Sequence, residues 1–190
     1  RTYTGPVVRF LLRLGLDVLG VPGAIAHELG HQAGCWLTGT RVLQVRYLRF
    51  GVPAGYVIHE QPATPWRHAV IAGGPFLLNS ILAFAAGWVH LKGWWRSDPA
   101  WASPTVLLWL GTAVGMHAFP SLQDATGLLD AVWTRGAGFF AKLLITPVGA
   151  VMVAGAFASW VFLDLAWGLG LAWFAPRWVA GAPLFGGWIR

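Results

Sequence analysis

The chain has 190 residues, of which 56% are hydrophobic and only 11% are charged. In an ordinary soluble domain about 25% of residues are charged. The composition therefore excludes such a domain and favours a membrane protein of one domain. The 13 tryptophans and 25 glycines fit interfacial belts and close helix packing in lipid. The net charge of +6 comes from basic residues scattered between apolar segments, which indicates lipid head groups and not nucleic acid as the partner, and a single cysteine excludes an internal disulfide.

The first predicted element is an apolar span over residues 6–37. At 1.5 Å per residue it is too long for one straight crossing of a hydrocarbon core of about 30 Å. The segment GVPG at residues 20–23 is therefore expected to kink or break it. Arg13 and Asp17 lie four residues apart in its first half, a spacing that predicts a structural ion pair.

The second predicted element is a β-hairpin over residues 41–60, RVLQVRYLRFGVPAGYVIHE. This stretch is rich in Val, Tyr and Phe, and GVPAG supplies a turn. Open sheet edges do not face lipid, so the hairpin is expected at the membrane interface or under protein. A peptide could also cover the edge by adding itself as a strand.

Three further apolar spans are predicted, over residues 66–91, 104–119 and 139–174. The span over 104–119 is short, which indicates that it ends inside the membrane. The span over 139–174 is long, and Pro147 is available for a bend. We therefore predict an all-α integral membrane protein, a bundle of about four transmembrane helices with a small interfacial β-hairpin, forming one domain over residues 1–190.

The segment GAIAHELGHQAGCWL, residues 23–37, places ionisable side chains in an apolar run. His27 and His31 are four residues apart, so on a helix they point the same way and can bind one metal ion. Glu28 projects beside them and can take a proton from a water on that metal. This HExxH pattern is typical of zinc metalloproteases. Ionisable groups in a membrane span are costly unless they are paired or functional, which favours a functional role.

A catalytic zinc site needs a third protein ligand. The candidates by residue type are His59, Glu60, His68, His90, His117, Asp124, Asp130 and Asp164. The residues alone favour Asp124, with His117 as the next choice, because both lie in GMHAFPSLQDATGLLDA, where a short apolar span ends and Asp124 follows it. Asp124 also has a purely structural interpretation, as the N-cap of a helix beginning DATGLL.

Four features together resemble the site-2 protease class of intramembrane zinc metalloproteases, and within it small bacterial and archaeal zincin peptidases. They are HELGH in the first span, the hairpin after it, GGPFLLN at the start of the second span and FPSLQD after the third. The resemblance covers residues 20–130, which implies a membrane-embedded metalloprotease core there and an extra C-terminal span at about 139–174. It also implies a prokaryotic cell membrane as the location.

The resemblance implies roles for three further residues. Asp124 falls on the zinc-binding aspartate of the family's Leu-Asp-Gly motif, although Gln123 and Ala125 replace its leucine and glycine. His117 lies near the motif's asparagine and is expected to donate a hydrogen bond to the developing oxyanion. Asn79 ends a Gly-Pro motif that is one residue longer than usual, so it either contacts substrate or forms a helix–helix hydrogen bond.

These features predict a zinc metalloendopeptidase that cuts transmembrane or membrane-proximal segments, with Zn²⁺ held by His27, His31 and Asp124 and with Glu28 as the catalytic base. The expected partners are a membrane-protein or peptide substrate and the lipid bilayer. Two alternatives stay open. One is a catalytically inactive pseudoprotease that binds membrane proteins, and the other is a component of proton or metal-ion transport.

Overall fold

A computed structural model describes residues 4–49, 53–93, 104–134 and 136–184 of the chain. This part is mostly helical and contains one two-stranded sheet. In chain order the elements are α1 (Thr4–Leu19), α2 (Val21–Thr38), β1 (Val42–Arg46), β2 (Tyr56–His59), α3 (Pro65–Lys92), α4 (Pro104–Met116), α5 (Leu122–Trp133), α6 (Phe139–Ala158), α7 (Leu163–Leu169) and α8 (Ala175–Val179).

The first apolar run is divided at Gly20, where α1 and α2 meet at a bend of 66°. Pro22 lies in the first turn of α2, where the missing N–H removes no helical hydrogen bond. The helix ends at Gly39, which adopts the left-handed conformation with φ 65° and returns its N–H to the carbonyl of Trp36. The predicted break within GVPG is confirmed.

The predicted hairpin is also confirmed. Strands β1 and β2 pair antiparallel, with Arg46 opposite Tyr56 and Val42 opposite His59, and the register shifts at a bulge between Val42 and Gln44. Residues 50–52, which include part of the predicted turn, lie outside the described residues. The hairpin packs on α2, so the loop that follows β1 covers the HELGH segment.

Two helical segments, Pro65–Lys92 and Phe139–Val161, are long and apolar enough to cross a membrane. The bent pair α1 and α2 is a third candidate. Helix α4 is apolar but has only 13 residues, about 20 Å, which is short of a hydrocarbon core of about 30 Å. The described part of the chain therefore has two or three candidate spans, and the predicted count of four is not confirmed.

The predicted span over residues 139–174 is interrupted, and the part of it that is long and apolar enough to cross a membrane is Phe139–Val161. Helix α6 passes into a 3₁₀ turn, Ser159–Val161, and Phe162 then adopts the left-handed conformation with φ 61°. A left-handed residue cannot continue a right-handed helix, so the chain changes direction there and continues as α7. Pro147, the expected bend, stays inside α6.

Helix α3 lies at the centre of the fold and packs against α2, α4, α5, α6 and α8. A buried apolar cluster joins α3, α5 and α6; its members are Ala72, Ala125, Leu128, Val132, Ala141, Ile145 and Met152. This packing brings the beginning of α5 beside the middle of α2, where the HELGH residues lie.

Candidate metal centre

The side chains of His27 and His31 from α2 meet that of Asp124 from α5. One ligand atom from each lies within 4.8 Å of the other two. His27 Nε2 is 3.8 Å from Asp124 Oδ2, and His31 Nε2 is 3.4 Å from Asp124 Oδ1. A tetrahedral ion with ligands about 2.0–2.2 Å away keeps ligand atoms roughly 3.4 Å apart. The predicted group therefore has the spacing to hold one metal ion.

Backbone carbonyls orient both imidazoles. His27 Nδ1 is 2.8 Å from the carbonyl oxygen of His117, and His31 Nδ1 is 3.0 Å from that of Ile71. Because a carbonyl only accepts hydrogen bonds, each Nδ1 carries a proton, so in the neutral imidazole each Nε2 offers its lone pair to a metal ion. Such a hydrogen bond fixes the tautomer and direction of a metal-binding histidine.

Asp124 takes part both in the N-terminal capping of α5 and in the candidate metal centre. Ser121 is the N-cap of α5 and Asp124 occupies the third helical position, and the two form a capping box. Ser121 donates to Asp124 Oδ2 from its backbone N–H at 2.8 Å and from its hydroxyl at 2.6 Å. The structural interpretation of Asp124 and its interpretation as a ligand are therefore compatible, although the N-cap itself is Ser121.

Asp124 lies on α5, outside the candidate spans, and its surroundings favour the carboxylate. Burial by itself raises the pKa of this carboxyl, but the neighbouring imidazoles of His27 and His31 and the two hydrogen bonds from Ser121 outweigh burial and hold the pKa below its ordinary value. An ionised carboxylate is the form that binds a metal cation.

Glu28 is half-buried and lies between two cavities. One, of about 190 Å³, is also lined by the three candidate ligands. The other, of about 610 Å³, extends from His27 and Glu28 towards α1 and α6. A Cβ atom on Gly55 of the hairpin loop would stand 2.7 Å from Glu28 Cγ, so the loop covers this side chain closely. Glu28 thus borders the candidate ligands and open space for water or a peptide.

His117 lines the larger cavity beside Glu28. Its Nδ1 is 3.0 Å from the carbonyl oxygen of Ala113, one turn earlier, and its ring lies against Gly20 and Gly23. With Nδ1 donating, a neutral His117 presents Nε2 as an acceptor. The predicted donation to an oxyanion therefore requires the imidazolium form.

Asn79 is fully buried, with 0% of its surface exposed. Its Nδ2 lies 3.2 Å from the carbonyl oxygen of Gly23, 3.1 Å from that of Val114 and 3.0 Å from that of His117. The structure thus gives it the helix–helix hydrogen bond that was one of its two interpretations. Direct contact with a substrate would require this packing to open.

The other candidate ligands lie elsewhere or make other contacts. Glu60 is paired with Arg41 at 3.6 Å, Asp164 with Arg13 at 2.5 Å, and His90 Nδ1 lies 3.2 Å from the carbonyl oxygen of Pro104. His59 and His68 line the smaller cavity with the candidate ligands but do not belong to the ligand group.

Sequence reasoning missed the groups that hold the three side chains in place. The carbonyls of Ile71 and His117 carry no signal in the sequence, because every residue has one. Ser121 does carry a signal, since SLQD has the spacing of a capping box, with aspartate in place of the usual glutamate or glutamine.

Comparisons of this chain with models of protein families, with curated proteins and with solved structures give no match. The case for a function therefore rests on the geometry of the candidate metal centre and on the sequence motifs that form it.

Proposed function

We propose that this chain is an intramembrane zinc metalloendopeptidase of the site-2 protease type. The observation that carries the proposal is the convergence of His27, His31 and Asp124 beside the half-buried Glu28, next to a cavity large enough for a peptide segment. The candidate spans support a location in a membrane, which we propose to be that of a prokaryotic cell.

The donor set fits Zn²⁺. Two imidazole nitrogens and one carboxylate oxygen are the usual protein ligands of a catalytic zinc site, which keeps its fourth position for water or substrate. When bound, the ion lowers the pKa of its water towards neutrality and polarises a carbonyl group. The oriented Nε2 atoms of His27 and His31 and the ionised Asp124 are the groups of this chain that would hold it.

Glu28 is the side chain that we propose transfers the proton of the attacking water. Its carboxylate interacts electrostatically with His27, His31 and Asp124, and it faces both cavities. We infer that it accepts a proton from the attacking water and returns it to the leaving amine. Proton transfer by one positioned side chain contributes about 10²–10⁴-fold to a rate.

The larger cavity suits an extended peptide better than a helix. Its walls include the hairpin loop, the beginning of α5 and part of α6, and β2 residues line the adjoining smaller cavity. A helical substrate engages its carbonyls in i→i−4 hydrogen bonds. We therefore propose that transmembrane or membrane-proximal segments bearing Gly or Pro unwind and lie along the hairpin before they are cut.

Metal analysis of purified protein tests the ligand set. We expect about one zinc per wild-type chain, and loss of zinc in His27→Ala and Asp124→Ala. His59→Ala is the matched control, because His59 borders the same cavity outside the ligand group, and it should keep its zinc. Wild-type protein that binds no zinc, or Asp124→Ala protein that binds it fully, would contradict the proposal.

Cleavage of a helix-destabilised transmembrane peptide tests the chemistry. We expect wild-type activity that phenanthroline abolishes, and Glu28→Gln protein that keeps its zinc but cuts about 10²–10⁴-fold more slowly. An equal rate for Glu28→Gln would remove Glu28 as the base. Zinc binding without any cleavage would favour the membrane-protein-binding pseudoprotease. Proton or metal-ion flux in liposomes that Glu28→Gln leaves unchanged would favour the transport component.

A further inference from the structure

The buried amide of Asn79 lies at the meeting point of three helices. It is carried by α3 and donates towards carbonyls of α2 and of the C-terminal end of α4. Only an NH₂ group can hydrogen bond to carbonyl oxygens, so the acceptors themselves fix the orientation of this amide. Its Oδ1 accepts no hydrogen bond among the described residues. The side chain therefore acts here as a donor.

One of its acceptors is the carbonyl that orients a candidate metal ligand. The His117 carbonyl oxygen receives Asn79 Nδ2 at 3.0 Å and His27 Nδ1 at 2.8 Å. Helix α4 ends at Met116, so this carbonyl lies beyond the regular helix. The N–H of Ser121, four residues later, donates to Asp124 instead. The His117 carbonyl is therefore oriented by hydrogen bonds from two side chains, those of Asn79 and of His27 itself.

We propose that Asn79 is a positioning residue for the metal centre: by holding the His117 carbonyl, it fixes the tautomer and direction of His27. The inference rests on the proposed metal centre, but not on the proposed cleavage reaction. Asn79 also restrains the position of His27 in a second way, because it donates a hydrogen bond to the carbonyl of Gly23, one helical turn before His27. Loss of an outer partner of this kind typically weakens metal binding about 10–100-fold.

The second imidazole provides an internal comparison. His31 donates to the carbonyl of Ile71, which belongs to α3 itself, and the hydrogen bonds of Asn79 go to other carbonyls. Removal of the Asn79 amide should therefore disturb His27 and leave His31 in place. A general loosening of α3 would disturb both.

Asn79→Ala compared with Ser80→Ala tests this role. Ser80 lies next to Asn79 and accepts a hydrogen bond from Trp167 Nε1 at 3.3 Å, so its removal also costs one contact between helices, but not one that leads to a ligand. Zinc affinity is measured by competition with a chromophoric chelator. We expect Asn79→Ala to bind zinc about tenfold more weakly than wild type, and Ser80→Ala to bind as wild type does.

Two further readouts keep the test decisive. The visible absorption of the Co²⁺ form should change in Asn79→Ala and not in Ser80→Ala, and the resonance of the His27 Nδ1 proton should move while that of His31 stays. Unchanged zinc affinity and Co²⁺ spectrum in Asn79→Ala would overturn the inference. If Asn79→Ala does not fold, Asn79→Val, which fills more of the space but has no donor, is judged by the same two outcomes. Wild-type protein that binds neither metal would instead overturn the metal centre.

Discussion

Helices α1 and α2 follow each other with only Gly20 between them, yet they contact the rest of the molecule in different ways. Helix α2 buries small residues and one candidate metal ligand, namely Gly23, Ala26, Gly30, His31, Gly34 and Cys35. A Cβ atom on Gly30 would stand 2.5 Å from Pro75 Cα, and one on Gly34 would stand 2.7 Å from Ile71 Cα. The backbones of α2 and α3 therefore touch.

Helix α1 turns large apolar side chains outwards: Val7, Val8, Phe10, Leu11, Leu12, Leu14, Val18 and Leu19 are each at least half exposed. A Cβ atom on Gly15 would meet nothing within 4 Å. Polar groups tie α1 to the body, since Arg13 bonds Asp164 at 2.5 Å and Trp109 Nε1 donates to the Leu19 carbonyl at 3.1 Å. Both helices are apolar, but only the one with small residues comes close enough to α3 for a backbone carbonyl to orient a histidine.

Breaking the ion pair of α1 should have the largest effect on stability. In Arg13→Gln the carboxylate of Asp164, which is 2% exposed, loses its cationic partner. A buried charge left without its partner lowers the free energy of unfolding by about 3–5 kcal/mol. Unfolding in mixed micelles, followed by circular dichroism, measures the change.

Asp17→Asn is the control for that variant. It removes the neighbouring pair with Arg13 at 3.1 Å, in which the Asp17 side chain is 51% exposed. Exposed pairs at this helical spacing contribute about 0.3–0.5 kcal/mol. If the two variants lowered stability equally, the attachment of α1 would not depend on Asp164.

The features that could be predicted from the sequence are those that nearby residues decide. The helical phase of His27 and His31, the break at GVPG, the hairpin over 41–60 and the pair of Arg13 with Asp17 each depend on a short window of the chain. Asp124 was the favoured third ligand from its place after a short apolar span, and the resemblance to site-2 proteases favoured it further, but its contact with the two histidines, 93 and 97 positions earlier, is decided by packing that no local pattern shows.

The features that were not predicted depend on packing between distant segments. Arg13 and Asp164 are 151 residues apart, and no pattern connects them. The left-handed Phe162 lies in SWVFLDL, which has neither the glycine nor the asparagine that usually marks such a position. The role of the His117 carbonyl emerges only when α2, α3 and α4 are placed together.

Replacing one glycine on each helix, Gly30 on α2 and Gly15 on α1, tests the difference in packing between the two helices and should change stability by an intermediate amount. Gly30→Ala forces α2 away from the Pro75 backbone, and overpacking of this kind costs about 1–3 kcal/mol. Zinc affinity should fall with it, because the hydrogen bond from His31 to Ile71 crosses the same helix pair. Gly15→Ala meets no neighbour and should stabilise α1 by up to about 1 kcal/mol through helix propensity. Thermal unfolding in one detergent, with and without zinc, should separate the two; equal shifts would contradict the close approach of α2 to α3.

The smallest expected change concerns Asp124, which a helix cap holds in place. Ser121→Ala removes the N-cap of α5 and the hydroxyl that donates to Asp124 Oδ2 at 2.6 Å. Thr64→Ala removes the N-cap of α3, whose hydroxyl accepts from the Arg67 N–H at 3.3 Å and, among the described residues, makes no hydrogen bond to His27, His31 or Asp124. Each variant should lose about 1 kcal/mol of stability. Only Ser121→Ala should bind zinc more weakly, by about tenfold, because its Asp124 carboxylate keeps the backbone N–H of residue 121 but loses the second of its two donors there. Equal zinc affinities in the two variants would mean that the two histidines and the metal hold Asp124 without help from the cap, and the third ligand would then owe its position to the packing of α5 against α3.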